Sequence, residues 1–253
     1  MIDYAMRQFC TERWKQLMSI KAVLFDLDGT LLPMNMDDFT TGYFGMLAKK
    51  LAPYGYEPKS LVDAIWTGTA AMVKNNQECT NEDAFWKKFA EILGEHVLEH
   101  KPIFEDFYAN DFQKAIQFCY PTELANESVK LCKRLGFRTI LATNPIFPDI
   151  ATRSRIKWAG LDISDFELYT TYEKETSCKP NLAYYQSILE RIGLKAEECV
   201  MVGNDVAEDM IASKLGMKVF LITEYMLNKK NEDYSMYPQG DFKQFMEWIA
   251  QIN

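Results

Sequence analysis

Apolar and polar positions follow two rhythms along this chain, and the switches between them divide it into parts. The run Ala22-Val23-Leu24-Phe25 is short and apolar and leads into two carboxylates and a glycine, so it reads as a buried strand with Asp26 at its carboxyl end. Ahead of it, Ile2, Ala5, Met6, Phe9, Cys10, Leu17 and Met18 fall at helical spacing and predict an amphipathic helix over 1–19. After Leu32 the strand rhythm stops. Pro33 breaks the chain, and helical periods without a strand follow from Asp37 to about Tyr120, predicting helices over 39–51, 60–74, 81–93 and 103–118. Ser60-x-x-Asp63 and Thr80-x-x-Asp83 read as capping boxes, with Asp in place of the usual Glu.

From Pro121 onward helix and strand alternate with short connections. Helices are predicted over 123–135, 148–159, 181–192 and 206–215, strands over 139–143, 167–172, 199–202 and 218–223, and a final helix capped by Asp241 runs to about Ile249. Gly136, Gly160 and Gly193 each follow a helix, where a C-cap glycine belongs. The alternation is that of a parallel sheet covered on both faces. Because the first strand needs the later ones as neighbours, the predicted fold class is α/β. A doubly wound, mostly parallel, Rossmann-like core covers 1–32 and 121–253, and an all-helical block is inserted at 33–120.

Composition narrows the classes of function. A hydrophobic content of 48% and an aromatic content of 13% exclude a largely disordered chain. The net charge of -8 argues against nucleic acid or an anionic membrane surface as a partner. No apolar run approaches the ~20 residues of a membrane span. Asp3, Arg7, Glu12 and Arg13 stand where a signal peptide would be apolar, so the chain reads as soluble and cytoplasmic. Six cysteines show no metal or disulfide spacing and read as free, mostly buried thiols, Cys178 as a small filler. His96 and His100 are the two imidazoles; both read as surface residues, and neither has a nucleophile motif to serve.

The chemistry gathers at the ends of the strands. Asp26 and Asp28 follow the first strand, Thr143 and Asn144 end the second, and Asn204 and Asp205 follow the strand at 199–202, with Asp209 four residues on. Lys179 precedes a helix of the same repeating unit. In a parallel sheet all of these converge on one edge, where ligands bind in such folds. Four carboxylates and a phosphoryl group there exceed what Lys179 can neutralise, so the electrostatics require a divalent cation, and an all-oxygen site suits Mg²⁺. Taken singly, the bland readings are a solvated Asp-x-Asp-Gly turn, a strand-end threonine and a surface lysine.

Four elements in this order, Asp26-Leu27-Asp28-Gly29-Thr30, Thr143, Lys179-Pro180 and Val202-Gly203-Asn204-Asp205 through Asp209, resemble the haloacid dehalogenase superfamily. The likeness is to its phosphatase-like members, which carry a helical cap domain inserted after the first motif. It implies Mg²⁺-dependent hydrolysis of a small phosphomonoester, with a small phosphorylated metabolite as the partner. Asp26 is then the nucleophile, Asp28 the acid and base, and Thr143, Asn144 and Lys179 the phosphate holders. The metal falls to Asp26, the main chain of Asp28 and an acidic residue of the last motif. There the sequence departs from the pattern, because the ligating Asp aligns with Asn204 and Asp205 lies next to it. Either Asp205 shifts into the metal shell, or Asn204 supplies an amide oxygen, or the metal site is weakened. Asp209 then orients Lys179 and the metal's waters.

Asp28 argues against the dehalogenating and phosphonate-cleaving members, which lack that acid. A sugar-phosphate mutase and a non-catalytic phosphate-binding protein remain as alternatives. In the inserted block, Tyr43, Phe44, Trp66 and Trp86 read first as helix-packing core. Asp38, Thr41, Tyr43 and Lys74 are candidates to face the cleft, with nothing in the spacing to choose among them.

Overall fold

A computed structural model describes residues 19–252, so the helix predicted over 1–19 lies almost wholly outside the described residues. The sheet has six parallel strands: β1 (Ala22–Phe25), β2 (Arg138–Leu141), β3 (Leu168–Tyr169), β4 (Cys199–Gly203), β5 (Lys218–Ile222) and β6 (Gln239–Gly240). Their order is β3-β2-β1-β4-β5-β6, which sets β1 between β2 and β4. The carboxyl ends that carry Asp26, Thr143 and Asn204 are therefore neighbours. Side chains of β1 alternate between two cores, Val23 and Phe25 on one face and Ala22 and Leu24 on the other. The first face is covered by α5 (Glu123–Arg134), α6 (Asp149–Trp158) and α8 (Phe242–Ile249), the second by α7 (Leu182–Ile192). Among the described residues no helix is long and apolar enough to cross a membrane.

Between β1 and α5 lie four helices, α1 (Met36–Leu51), α2 (Pro58–Val73), α3 (Asn81–Leu93) and α4 (Lys101–Ala109), and a 3₁₀ stretch, Asp111–Phe118. The chain leaves and returns side by side, since Tyr120 N donates to Pro33 O at 2.7 Å and Met34 bridges Cys119. A third attachment lies far from this pair. Asn81, fully buried at the start of α3, donates its main-chain N–H to Glu175 O (2.8 Å) and its amide to Pro145 O, Ser177 O and Cys178 Sγ (each 3.2 Å). Its Oδ1 accepts from Asn75 Nδ2 at 2.9 Å.

Some local expectations are corrected. α2 opens at Pro58 under a Glu57 cap that accepts from Lys59 N and Ser60 N, because Pro fits the first helical turn; Ser60 is inside the helix. The helix predicted over 103–118 ends at Asn110, whose side-chain amide turns back onto Asp106 O and Oδ1, and a 3₁₀ stretch follows. The helix predicted over 206–215 is a turn followed by a 3₁₀ stretch, Met210–Leu215. Asp205 Oδ1 accepts from Ala207 N and Glu208 N at the start of the turn, as an N-cap does. β6 lies in a tail that reads as turn-rich, and two residues carry too little pattern to announce a strand. Thr80 does cap α3, accepting from Asp83 N, and the glycines at 136, 160 and 193 all have positive φ.

Replacing Asn81 with Ala would leave the carbonyls of Pro145 and Ser177 and the amide of Asn75 short of a buried partner. We expect a loss of about 1–3 kcal/mol in unfolding free energy, read from the urea midpoint at unchanged slope.

Candidate active site

Asp26 leaves β1 with its amide bonded to Val202 O of β4, which fixes the side chain at the carboxyl edge of the sheet. Its Oδ1 accepts from Lys179 Nζ at 2.8 Å and its Oδ2 from Thr30 Oγ1 at 3.1 Å. Lys179 is buried and reaches a second carboxylate, Asp209 Oδ1, at 2.6 Å. Burial disfavours the ammonium, but the carboxylates of Asp209 and Asp26 outweigh that and hold its pKa well above the usual value. Burial likewise pushes Asp209 up, with Lys179 opposing it. Gly203 makes this packing possible, because a Cβ there would lie 2.1 Å from Asp209 Oδ2.

Asp28 lies one turn of loop away and is held differently. Its Oδ2 accepts from the guanidinium of Arg155, which is completely buried on α6. Arg155 also donates to Ala151 O and Thr152 Oγ1 and lies 4.3 Å from the ring centroid of Phe147. Burial raises the Asp28 pKa and Arg155 works against that rise. Oδ1 of Asp28 and Oδ1 of Asn144 are buried acceptors without a hydrogen-bond partner.

Asn204 is buried with both ends of its amide engaged: Oδ1 accepts from Thr30 Oγ1 (3.1 Å) and Nδ2 donates to Tyr225 O (2.6 Å). It packs against Gly29, where a Cβ would lie 2.3 Å from Nδ2 and where φ is +83°, so Gly29 is required twice over. Asp205 is half-buried, and its Oδ1 is bonded to the amides of residues 207 and 208. Thr143 is buried, its carbonyl held by Thr170 Oγ1 and Tyr184 OH. Asn144 donates to Glu208 Oε2 at 2.9 Å.

Asp26, Asp28, Thr143, Asn144, Asn204, Asp205 and Asp209 line one cavity of ≈ 630 Å³, while Lys179 stands behind Asp26. Of the insertion's candidates, Thr41 and Tyr43 line it, and Asp38 and Lys74 do not. Trp66, expected in the core, is 53% exposed; Tyr43 and Trp86 are buried. His96 is exposed, and His100 is half-buried beside Tyr56 OH at 2.8 Å.

Three residues escaped the sequence reading. Arg155 looks like one more cation on a helix, Asn81 like a helix start. Glu208 lies between Asp205 and Asp209, and burial, reinforced by the Asp205 carboxylate, pushes its pKa up to about 7. With it, five carboxylates face two cations, Lys179 and Arg155. That donor set is all-oxygen and in excess of negative charge, which fits a hard divalent cation. Among the described residues no three His, Cys, Asp or Glu side chains are grouped to hold a metal by themselves. Mg²⁺ needs fewer, since it is commonly bound through one or two carboxylates together with substrate phosphate and water.

A haloacid dehalogenase-like hydrolase model matches residues 20–215, which include the five carboxylates, Lys179 and Arg155. The chain belongs to the haloacid dehalogenase-like hydrolases. It is 26% identical over 224 residues to the pyrophosphatase PpaX of Halalkalibacterium halodurans, covering 86% of this chain and 88% of that protein. It is 25% identical over 241 residues to a phosphoglycolate phosphatase of Colwellia psychrerythraea, covering 94% and 99%. In fold it matches a haloacid dehalogenase phosphatase of Thermococcus onnurineus with a TM-score of 0.58 at 18% identity, over 92% of this chain and 99% of that one. This hydrolase therefore has the α/β architecture of its family, with the strand ends gathered at one cavity.

Arg155→Met would strand the Asp28 carboxylate, at a cost of about 3–5 kcal/mol for a broken buried pair. Asp28→Asn in the same chain should recover part of that loss. A double-mutant cycle in urea measures the coupling, and strict additivity would show that the pair contributes no coupling to stability.

Proposed function

We propose that this hydrolase cleaves phosphomonoesters with Mg²⁺, through a phosphoryl group carried on Asp26. The observation that carries the reading is the Asp26 carboxylate, held between Lys179 and Thr30 at the floor of a cavity that Asp28 also lines. The names of the relatives, a pyrophosphatase and a phosphoglycolate phosphatase, favour phosphoryl transfer over carbon–halogen chemistry.

Asp26 attacks phosphorus in line, and the bond from phosphorus to the ester oxygen breaks. Asp28 gives its proton to that oxygen as it leaves. Burial raises the Asp28 pKa toward the protonated form, while Arg155 fixes its Oδ2 beside the cavity that Asp28 lines. Water then attacks the phosphoryl group, Asp28 takes its proton, and Asp26 is released. Thr143 holds the non-bridging oxygens, where charge builds up, and Lys179, behind Asp26, offsets the charge of the nucleophile and the phosphoryl group. Mg²⁺ would be held by the carboxylates of Asp26 and Asp205 and the main-chain carbonyl of Asp28, and it supplies charge neutralisation of the phosphoryl group. Asp205 is the better ligand of the two candidates because a carboxylate brings charge to a hard cation, whereas Asn204 offers a neutral amide oxygen.

The helical insertion serves as a cap that shields the phosphoryl group from bulk water and supplies substrate contacts. A cytoplasmic setting accords with the unpaired cysteines at 79, 119, 132, 178 and 199, four of them buried.

Hydrolysis of p-nitrophenyl phosphate should vanish on chelation and return with Mg²⁺; full activity in metal-free buffer would reject the metal. Asp26→Asn should abolish turnover. Asp28→Asn should lower it by ~10²–10⁴-fold, the range for lost acid–base catalysis. Titration of activity against Mg²⁺ separates the remaining pair: Asp205→Asn should raise the midpoint more than Asn204→Ala, and the reverse order would make Asn204 the ligand.

A further inference from the structure

The cavity has two chemically different halves. Its floor is the charged edge of the sheet, and its walls are largely the aromatic faces of the insertion, among them Tyr43, Phe44, Trp66, Phe85 and Tyr108, together with Phe147 of the core. No Lys or Arg of the insertion lines it, and the insertion's one acidic contribution is Asp37. Lys229, on the core side, is the single lysine of the lining and is exposed. The polar tips among the aromatics are already satisfied by one another: Tyr43 OH and Tyr108 OH are 2.8 Å apart, and Trp86 Nε1 donates to Tyr172 OH at 3.4 Å. Burial pushes the Tyr43 phenol up to about 12 and Tyr108 and Tyr172 up as well, as a site of low polarity does.

The aromatic wall is not closed upon itself. Trp66 is 53% exposed and meets Phe44 edge-on at 5.4 Å, and Phe44, Phe85, Tyr108 and Phe147 are all half-buried. Ring surface is thus left in contact with water inside a ≈ 630 Å³ space, the size of a site for a bulky organic ligand. A carboxylate or second phosphate in that space would be desolvated among aromatics, close to five carboxylates, with no cation from the insertion to pair with it. A very small leaving group would leave the rings wet. A flat uncharged ring system would cover them and gain edge and face contacts.

We infer that the chamber takes phosphate monoesters of bulky, uncharged aromatic alcohols, an inference that rests on the phosphomonoesterase reading and narrows it. The substrates named for the two relatives, phosphoglycolate and pyrophosphate, are small and carry a second charged group, unlike the ligand that apolar rings would favour.

Calorimetric titration with non-hydrolysable phosphonates, Mg²⁺ present, tests the chamber without turnover. 2-Naphthylmethylphosphonate should bind about tenfold or more tightly than methylphosphonate and phosphonoacetate, ~1.4 kcal/mol per factor of ten. Trp66→Ala, at an exposed position that does not threaten the fold, should remove most of that preference. Tighter binding of phosphonoacetate, equal binding of all three, or a preference untouched by Trp66→Ala would each overturn the inference. Turnover of p-nitrophenyl phosphate, scored separately, reports on the phosphatase reading alone: its absence rejects that reading whatever the titration gives, and its presence with an anionic preference rejects the chamber assignment alone.

Discussion

The buried ammonium of Lys179, held between the carboxylates of Asp26 and Asp209, is the contact on which the site's construction depends. The ammonium is tolerable at this depth only beside its carboxylates, and its removal would leave Asp26 and Asp209 as two close anions without their shared cation. The set also joins three separate parts of the chain, the end of β1, the loop before α7 and the turn after β4. Each is brought there by the parallel order of the sheet, with β1 at its centre. A second buried pair, Arg155 with Asp28, ties α6 to the same loop. The two pairs hold neighbouring carboxylates apart in role: Asp26 is fixed by a lysine and a hydroxyl, Asp28 by a guanidinium on one oxygen.

The helical insertion is coupled to this arrangement more closely than a lid on two linkers would be. Asn81 bonds to Pro145, Ser177 and Cys178, which adjoin Asn144 and Lys179 in sequence. Tyr43 and Phe112 of the insertion pack on Phe147, which also lies against Arg155. Movement of the insertion away from the sheet would break buried hydrogen bonds at the loop that presents Lys179 and uncover the ring beneath the Arg155 guanidinium. Opening and the integrity of the charged floor therefore draw on the same contacts.

Much of this was legible from periodicity. Strands with both faces buried appear as continuous apolar runs, which is why 22–25, 199–202 and 218–223 stood out, and order alone then gathered Asp26, Thr143, Asn144, Asn204, Asp205 and Asp209 at one edge. What escaped is what depends on three-dimensional partners. Arg155 is three residues after Thr152 on an ordinary helix, and only the packing of α6 against the loop after β1 makes it a partner of Asp28. Asn81 carries no signal beyond a polar residue at a helix start. The segment predicted as a helix over 206–215 winds tighter, with Ala212 N bonded to Asp209 O and Gly216 N to Ser213 O, and apolar spacing does not show which winding a short turn adopts. Trp66 lies at a core-like spacing yet faces the cavity, for the same period serves an inner wall as well as a packed interface.

Division of labour between floor and walls has a consequence for how binding energy is used. Contacts at the floor strengthen as the phosphoryl group shifts charge to its oxygens, so they act on the transition state. Contacts with the aromatic walls are the same before and during the reaction and act on substrate and transition state alike. On the proposed reading, selectivity among substrates comes from the insertion and the rate of the chemical step from the sheet edge. The link between them is positional: in the proposed reaction a leaving group held by the wall must lie where Asp28, tethered through Oδ2 to Arg155, borders the cavity.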